Sequence, residues 1–245
     1  MDREDWQKKG AGHRQRLREK FLTLGIDAFT DDEVIELLLT FGTPRSDCKE
    51  AARAALAELG SLPAVLDAPA PRLGTIKGIG PKNVFALHFI QGVARRYLKQ
   101  KLKGRQYITS SKEVADYLIH LLRGLRREAF VAVYLDAAHA IIDSEVLGEG
   151  TVTVNTVYPR EVVLAALKRN AAALVIAHNH PSGSLTPSVQ DKQLTRTLHL
   201  ICSFLHINLL DHLIIGAGEQ ADSFADQGLM AQLREECRTL HETLR

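Results

Sequence analysis

Two histidines, a serine and an aspartate on one strand, loop and helix start constrain this chain more than any other feature. Residues 173–176, ALVI, are an apolar run rich in β-branched side chains, which predicts a buried strand. His178 and His180 follow it, and side chains two apart on a strand point the same way, so both imidazoles can reach one ion. Ser188 and Asp191 are three apart on the first turn of the next predicted helix and share a face.

The connection between this strand and this helix is short. Residues 181–184, PSGS, are turn formers, and Thr186 with Pro187 has the pattern of an N-cap followed by proline at the first helical position. Two imidazoles and one carboxylate leave a fourth zinc position for water, which catalytic zinc needs and structural zinc does not. Singly, such residues are usually polar rim or capping residues; the joint spacing favours a metal site.

The string HNHPSG-x2-TPS-x2-D, from His178 to Asp191, resembles the metal-binding motif of the JAB/MPN (JAMM) metalloprotease superfamily. More narrowly it resembles the bacterial RadC proteins, and the resemblance covers nearly the whole chain. It implies that His178, His180 and Asp191 bind zinc and that Ser188 helps to stabilise the oxyanion. It also implies a JAB/MPN-like, cytidine deaminase-like fold and a catalytic glutamate upstream. RadC proteins carry a name linked with DNA repair, whereas this site chemistry is that of a peptidase.

Three of the glutamates that precede the metal strand are candidates for the carboxylate that moves protons in hydrolysis: Glu128, Glu145 and Glu149. The resemblance places the catalytic glutamate just ahead of the first central strand, which is Glu128 in the stretch REAFVAVYLD. Glu145, at a hairpin exit, is the fallback. Without the resemblance the residues leave all three open, and Glu128 can also be an exposed carboxylate beside Arg126 and Arg127.

A second Asp-His pair, Asp211-His212, lies in the stretch 207–216, INLLDHLIIG, which predicts another buried strand. This strand is expected to neighbour the metal strand. Asp211 could then orient a ligand imidazole from behind, as carboxylates do in many metal sites. Alternatively, Asp211 and His212 are a hydrogen-bonded pair in the core, and the sequence leaves both interpretations open.

The C-terminal part interleaves strand and helix patterns. Strands are predicted at 128–136, 140–143, about 150–157, 173–176 and 207–216, and helices at 111–122, 160–168, 187–205 and 228–245. Ser110 and Glu113 have the spacing of a capping box for the first of these helices. The pattern predicts an α/β domain at 105–228, with a mixed, largely antiparallel sheet flanked by helices, and a C-terminal helix at 229–245.

The N-terminal third has helical patterns only, which predicts a small all-α domain with a linker, at 1–104. Thr30 to Glu33 is a capping box ahead of an apolar helix. Further helices are predicted at 47–59, 62–66 and 81–97, and the polar, basic residues 98–109 are predicted to be the linker.

A glycine hairpin in this third carries the case for nucleic acid. Residues 77–82, KGIGPK, lie between two predicted helices and resemble the hairpin of helix-hairpin-helix DNA-binding modules. The glycines permit a tight turn, and helix amides with Lys77 and Lys82 could hold a phosphate. The plain alternative is a helix connection without a ligand. The earlier hairpin, 41–45, lacks the second glycine and is predicted to be structural. The predicted contacts are Lys77, Gly78, Ile79, Gly80 and Lys82.

Charge is unevenly distributed along the chain. Residues 1–104 hold 18 of the 31 Lys+Arg and 13 of the 29 Asp+Glu, so the N-terminal third is basic and the remainder acidic. A basic third favours nucleic acid as a partner, although a solvated surface explains a bias of this size equally well.

Composition excludes several classes of protein. At 245 residues, 45% hydrophobic and 24% charged, the chain suits a soluble globular protein of one or two domains. Its apolar runs are too short to span a bilayer, and its charged N-terminus has no secretory signal. Three widely spaced cysteines indicate neither a disulfide framework nor a cysteine zinc site, and favour a cytoplasmic setting.

Together these observations predict a zinc-dependent hydrolase of amide bonds, joined to a helical module that binds DNA without sequence preference. A metal-dependent nuclease is one alternative, although the carboxylate-rich cluster of many two-metal nucleases is missing from the motif. A non-catalytic DNA-binding adaptor with a structural metal is the other. The substrate and the oligomeric state do not follow from the sequence.

Overall fold

The computed structural model describes residues 3–44, 46–149 and 157–243. The chain divides into two compact units, Met1–Ala94 and Arg95–Arg245. The division between the units falls within a helix, and the domain boundary at residue 104 stays a prediction. This helix continues through residues 98–102, part of the predicted linker, because lysine, leucine and glutamine are good helix formers. In the described part of the chain, no helix is long and apolar enough to cross a membrane.

The N-terminal unit is built from helices, as predicted. A 3₁₀ turn, Ile26–Ala28, separates its first two α-helices. The α-helices are α1 (Arg3–Leu24), α2 (Asp31–Gly42), α3 (Lys49–Leu59), α4 (Leu62–Asp67), α5 (Ala70–Leu73) and α6 (Pro81–Leu102), the last of which runs on into the second unit.

Local sequence signals set the ends of these helices. The capping box forms at the start of α2, where the Glu33 carboxylate accepts the Thr30 N–H at 3.0 Å. Gly60 ends α3 in the left-handed conformation at φ 90°. Ser61 then caps α4 by accepting the N–H of Ala64. A core lies between the helices, and its fully buried members include Ile35, Leu39, Ala52, Ala55, Val65, Leu73 and Leu87.

Two glycines let the helices of this unit approach closely. A Cβ atom on Gly42 would lie 2.6 Å from backbone atoms of Lys82 and Asn83, so the end of α2 packs directly on the start of α6. A Cβ atom on Gly78 would lie 2.9 Å from the Cβ of Ala51, and Gly78 also has φ 90°. Gly42 therefore has a packing role, which agrees with the structural role predicted for the first hairpin.

The C-terminal unit is an α/β fold, as predicted. Its elements are α7 (Tyr107–Leu122), β1 (Ala129–Leu135), β2 (Ile141–Glu149), α8 (Pro159–Lys168), β3 (Ala173–Asn179), α9 (Val189–Phe204), β4 (Asn208–Ile215), β5 (Ala221–Ser223) and α10 (Leu229–Thr243). The strand order is β2-β1-β3-β4-β5. The neighbours β3 and β4 are parallel and the other three pairs are antiparallel, so the sheet is mixed and largely antiparallel.

Helices cover both faces of this sheet. Alternate residues of β1 and β3, such as Val131 and Val175, pack against α7 residues including Val114 and Leu118. The other set, Phe130, Ala132, Leu174 and Ile176, packs against α8, α9 and α10, which contribute Val162, Leu198 and Met230. Both β1 and β3 are buried along their whole length. His178 belongs to the second face, since it is two residues beyond Ile176.

Two local predictions have different outcomes. Helix α7 is kinked at Ser110, whose φ of −132° and ψ of 20° are not helical, so a helix starts after Ser110 as predicted. The reciprocal cap does not close there: the Ser110 hydroxyl donates to the Gln106 carbonyl at 2.5 Å, and the Glu113 carboxylate pairs with Arg105. The strand predicted at about 150–157 falls on residues 150–156, which lie outside the described residues, while β2 extends past the predicted end at 143 to Glu149.

Candidate metal centre

The site forms where β3 ends and α9 begins. His178 and Asn179 are the last residues of β3, and His180 follows, with its N–H still bonded to the Ile215 carbonyl of β4 at 2.9 Å. Strand pairing thus persists to residue 180, and both imidazoles lie on one side. Asp191 is in the first turn of α9. This helix begins at Val189, two residues later than predicted.

The three side chains predicted as metal ligands converge. His178 Nε2 lies 2.9 Å from His180 Nε2 and 3.1 Å from Asp191 Oδ1, and His180 Nε2 lies 3.3 Å from Asp191 Oδ2. Ligands about 2.1 Å from a tetrahedral zinc ion are about 3.4 Å apart, so the set is spaced almost as such an ion requires. The side chains are 7%, 12% and 13% exposed, so the cluster is shielded but reachable.

The protonation of His180 and the charge of Asp191 also suit a metal site. Its Nδ1 lies 2.9 Å from the Ser184 carbonyl oxygen, which can only accept, so Nδ1 carries the proton and Nε2 presents a lone pair. Burial alone would raise the pKa of the Asp191 carboxyl, but its contacts with the His178 imidazole and the Ser188 N–H outweigh burial and lower that pKa. A carboxylate beside imidazole lone pairs is a donor set that a divalent cation fits.

Asp191 and Ser188 also cap helix α9 reciprocally. The Ser188 hydroxyl accepts the Asp191 N–H at 3.1 Å, and Asp191 Oδ2 accepts the Ser188 N–H at 2.7 Å. The N-cap is therefore Ser188 and not Thr186, because only a residue three before Asp191 can close this box. Capping uses a lone pair of the hydroxyl, so its proton remains available to a ligand beside the helix N-terminus.

A buried histidine lies behind the site. His212 is fully buried, and its Nε2 lies 2.8 Å from His178 Nδ1. Its Nδ1 lies 2.6 Å from the Thr195 hydroxyl, which donates to the Asp191 carbonyl at 2.6 Å. Burial, with the neighbouring His178, holds the pKa of His212 well below its ordinary value, so this imidazole is neutral.

Asp211 does not orient a ligand imidazole. Its carboxylate accepts hydrogen bonds from the Tyr107 and Ser223 hydroxyls and from the backbone N–H groups of Ala225 and His212. Of the Asp-His pair, it is His212 that reaches the metal ligands. Strand alternation contains the signal, since neighbours on β4 face opposite sides, but only the β3–β4 register, which pairs His212 with Ile176, decides between them.

Asn179, between the two histidines, is a site residue that its position in the sequence does not single out. It is 1% exposed, and its Oδ1 accepts the Ala129 N–H at 2.8 Å. Its Nδ2 lies 3.3 Å from the Leu125 carbonyl and 3.1 Å from that of Arg127. The metal strand thus holds the segment that carries Glu128.

The three candidate glutamates occupy different positions. Glu128 is exposed, directly ahead of β1 and two residues before Phe130, which pairs with His178. Glu145 is on β2, two strands away from the metal strand, and its carboxylate is bound by Arg169 at 2.8 Å and by the Tyr134 hydroxyl at 3.3 Å. Glu149 ends β2, and its side chain lies outside the described residues. Of the three, Glu128 is the closest to the ligands in strand register. No described residue binds its carboxylate.

The predicted DNA hairpin lies in the N-terminal unit, and its residues divide into two groups. Lys77, Gly78 and Lys82 are exposed. Ile79 is 5% exposed, packs in the core and donates its N–H to the Ile76 carbonyl, and the Gly80 N–H donates to Asn83 Oδ1 at 3.0 Å. Two of the predicted backbone contacts are thus used within the fold.

The fold and this donor set define a JAB-type metal-binding domain. Residues 108–229 match the family model of the RadC-like JAB domain, and residues 9–85 match the UPF0758 N-terminal model. The chain is 42% identical over 214 residues to a UPF0758 protein of Burkholderia cenocepacia, covering 87% of this chain and 83% of that protein. It is 41% identical over 213 residues to one of Photobacterium profundum, covering 87% and 95%. The chain belongs to the UPF0758 family, and the predicted kinship with RadC is confirmed.

Proposed function

We propose that this protein is a zinc-dependent hydrolase of amide bonds, of peptidase or isopeptidase type, with a DNA-binding module in its N-terminal unit. The observation that carries the proposal is the convergence of His178 Nε2, His180 Nε2 and an Asp191 carboxylate within 3.3 Å of one another. Three protein ligands are the number that catalytic zinc sites use. A zinc ion held there would acidify a water molecule and polarise a carbonyl oxygen.

The other residues have separate tasks in this proposal. Glu128, exposed and otherwise uncommitted, accepts the proton of the attacking water and delivers it to the leaving amine. The Ser188 hydroxyl and the N-terminus of α9 stabilise the developing oxyanion. Asn179 fixes the segment before β1, so that Glu128 is held towards the metal strand.

The N-terminal module supplies the second half of the proposal. Lys77 and Lys82 are exposed on either side of the hairpin and could bind phosphates of DNA without sequence preference. Binding of this kind would bring the hydrolase to DNA, the setting that a role in DNA repair needs. The three cysteines are all buried and unpaired, which suits the cytoplasmic location that we propose.

The test uses the full-length chain, loaded with zinc and freed of excess metal. We expect about one zinc per chain, and release of amines from peptide or isopeptide libraries but no cleavage of single- or double-stranded DNA. The double variant His178→Ala/His180→Ala should lose both metal and activity. Cleavage of DNA alone would show the nuclease alternative, and zinc binding without any hydrolysis would favour the adaptor. Wild-type metal content in the double variant would reject the site itself.

The nuclease alternative has less support. In the described part of the chain, His178, His180 and Asp191 are the single cluster of His, Cys, Asp or Glu side chains arranged to hold a metal ion. Two-metal nucleases use two ions about 4 Å apart, which need a second set of ligands. One set of three ligands instead favours hydrolysis with a single ion.

A further inference from the structure

His212 and Thr195 extend the site one layer inward from the ligands. His212 packs beside His178, with ring centroids 4.9 Å apart, and against Phe224 at 4.8 Å. Both His212 and Thr195 are fully buried. Neither residue is within the strand, loop and helix start that carry the ligands. The proposed amide hydrolysis assigns no role to either of them. Their hydrogen bonds nevertheless begin at one ligand, His178, and end at another, Asp191.

The donor and acceptor of each hydrogen bond in this network follow from the contact at its Asp191 end. The Asp191 carbonyl oxygen can only accept, so the single Thr195 hydroxyl proton is donated to it. Thr195 must then accept at its other contact, and His212 Nδ1 carries the proton between them. A cationic His212, fully buried and without a carboxylate contact, would be costly, so its Nε2 is unprotonated.

The same direction fixes the state of His178. Because His212 Nε2 is an acceptor, His178 Nδ1 donates to it, and the lone pair of His178 is left on Nε2. This is the atom that lies 2.9 Å from His180 Nε2 and 3.1 Å from Asp191 Oδ1. The opposite tautomer would put a proton where the ion has to bind.

We propose that His212 and Thr195 are positioning residues that lock His178 in the Nδ1-protonated tautomer and aim its Nε2 at the metal position. The inference rests on the proposed metal site and adds the device that prepares it for an ion. Thr195 also donates to the backbone carbonyl of Asp191, so one hydrogen-bond network holds two of the metal ligands. Partners of this kind typically change metal affinity by about 10–100-fold.

Zinc affinity tests the proposal without any need for an activity. The full-length chain is titrated with zinc against a chromophoric chelator at a fixed pH. Thr195→Val keeps the shape of the side chain but can neither donate nor accept, and should weaken zinc binding by about 10–100-fold. Thr195→Ser keeps the hydroxyl and should bind like the wild type. His212→Phe should weaken binding at least as much as Thr195→Val.

A matched control and a spectroscopic readout separate positioning from general destabilisation. His199→Gln alters another buried histidine, also on α9 but outside the network, and should leave zinc affinity unchanged. Nitrogen NMR of zinc-free protein should show His178 protonated on Nδ1 in the wild type and a mixture of tautomers in Thr195→Val. If His212→Phe does not fold, the threonine pair decides.

The outcomes distinguish this inference from the proposed function. Tight zinc binding by the wild type, with equal affinity and the same His178 tautomer in Thr195→Val, would overturn the positioning role and leave the metal site standing. Equal losses in Thr195→Val and Thr195→Ser would also overturn it, because the hydroxyl would then be irrelevant. A wild type that binds no zinc would reject the proposed function, and the inference with it.

Discussion

Asn179 Oδ1 accepts the backbone N–H of Ala129 at 2.8 Å, which joins the end of the metal strand to the start of β1. We predict that Asn179→Ala lowers the free energy of unfolding by about 1–3 kcal/mol, because a buried backbone donor loses its acceptor. Turnover should fall as well, since the Glu128 segment is released, while zinc content should not change. Urea unfolding and metal analysis check both points.

The control for this variant is Asn208→Ala, which alters an exposed asparagine at the start of β4. It should change stability by less than about 0.5 kcal/mol. An Asn179→Ala protein as stable as the control would mean that the three hydrogen bonds of Asn179 contribute little. Loss of zinc in Asn179→Ala would mean that Asn179 positions the ligands themselves.

Asp191 has two tasks, metal ligand and helix cap, and two substitutions separate them. Asparagine can still accept the Ser188 N–H but is a poor metal ligand, so Asp191→Asn should lose zinc while zinc-free stability stays near that of the wild type. Asp191→Ala should lose zinc and a further ~0.5–1 kcal/mol through the missing cap. Denaturation in the presence of a chelator measures the difference, and wild-type zinc content in Asp191→Asn would contradict its assignment as a ligand.

Asp211 gives a prediction for pH. Burial raises the pKa of this carboxyl despite four hydrogen-bond donors around it. The folded state therefore binds the proton more tightly than the unfolded chain, where the pKa is about 3.9. At pH values below the pKa of Asp211 in the unfolded chain, this carboxyl stabilises the fold. That stabilisation is lost as the pH rises through the pKa of Asp211 in the folded protein. Asp211→Asn can keep the same partners, because the two hydroxyls can accept from the asparagine amide instead of donating. It has no carboxyl at this position, so its stability lacks this dependence on pH.

Relative to Asp211→Asn, the wild type should thus lose stability from about pH 4 upwards and then level off. Chemical denaturation at several pH values measures the gap between the two proteins. A gap that does not depend on pH would show that the folded and unfolded pKa values are equal. Asp211→Ala is the contrasting variant: it leaves two backbone N–H groups without acceptors and should cost about 1–3 kcal/mol at any pH.

The sequence predicts the ligands of this site well because their spacing is local. His178 and His180 are neighbours on one strand, and Asp191 is placed by the helix start that follows a short turn. The confirmed fold class has the same origin, since apolar periodicity separates strands from helices. The N-cap lies two residues beyond the predicted one because Thr186-Pro187 and Ser188 to Asp191 are both good helix starts, and the reciprocal box prevails.

The supporting residues could not be predicted in the same way. His212 reaches His178, and Thr195 reaches His212, only because β4 lies parallel to β3 in one register and α9 packs over that face. Asn179 acts on a segment 50 residues earlier through antiparallel pairing of β1 with β3. Such contacts depend on strand order and register, which a single sequence does not reveal, and polar residues in apolar strands are the trace that they leave.

The N-terminal hairpin leads to a prediction about DNA. Lys77→Glu/Lys82→Glu should weaken binding of the full-length chain to a labelled duplex and reduce the slope of affinity against salt by about one for each phosphate that a lysine no longer neutralises. Arg16→Glu/Arg18→Glu, on exposed residues of α1, changes net charge equally and is the control. Fluorescence anisotropy across salt concentrations measures both. Equal effects of the two variants would point to general charge, and no binding by the wild type at low salt would reject the module.

The final prediction concerns Glu128 and separates an enzyme from an adaptor. Glutamine is nearly isosteric with glutamate but cannot accept a proton from water, so Glu128→Gln should reduce turnover by about 10²–10⁴-fold. Zinc content and stability should remain those of the wild type, because Glu128 is exposed and is not a ligand in the proposed site. The assay is hydrolysis of whichever peptide or isopeptide substrate the library identifies, with zinc measured on the same preparation.

Glu145→Gln is the matched control for this experiment. Its carboxylate is bound by Arg169 and Tyr134, so the substitution should cost some stability but leave turnover largely unchanged. The opposite pattern, with activity retained in Glu128→Gln and lost in Glu145→Gln, would transfer the proton-moving role to Glu145. Loss of zinc from Glu128→Gln would show instead that Glu128 belongs to the ligands or supports them, and the division of tasks between Glu128 and the His178, His180 and Asp191 cluster would then be wrong.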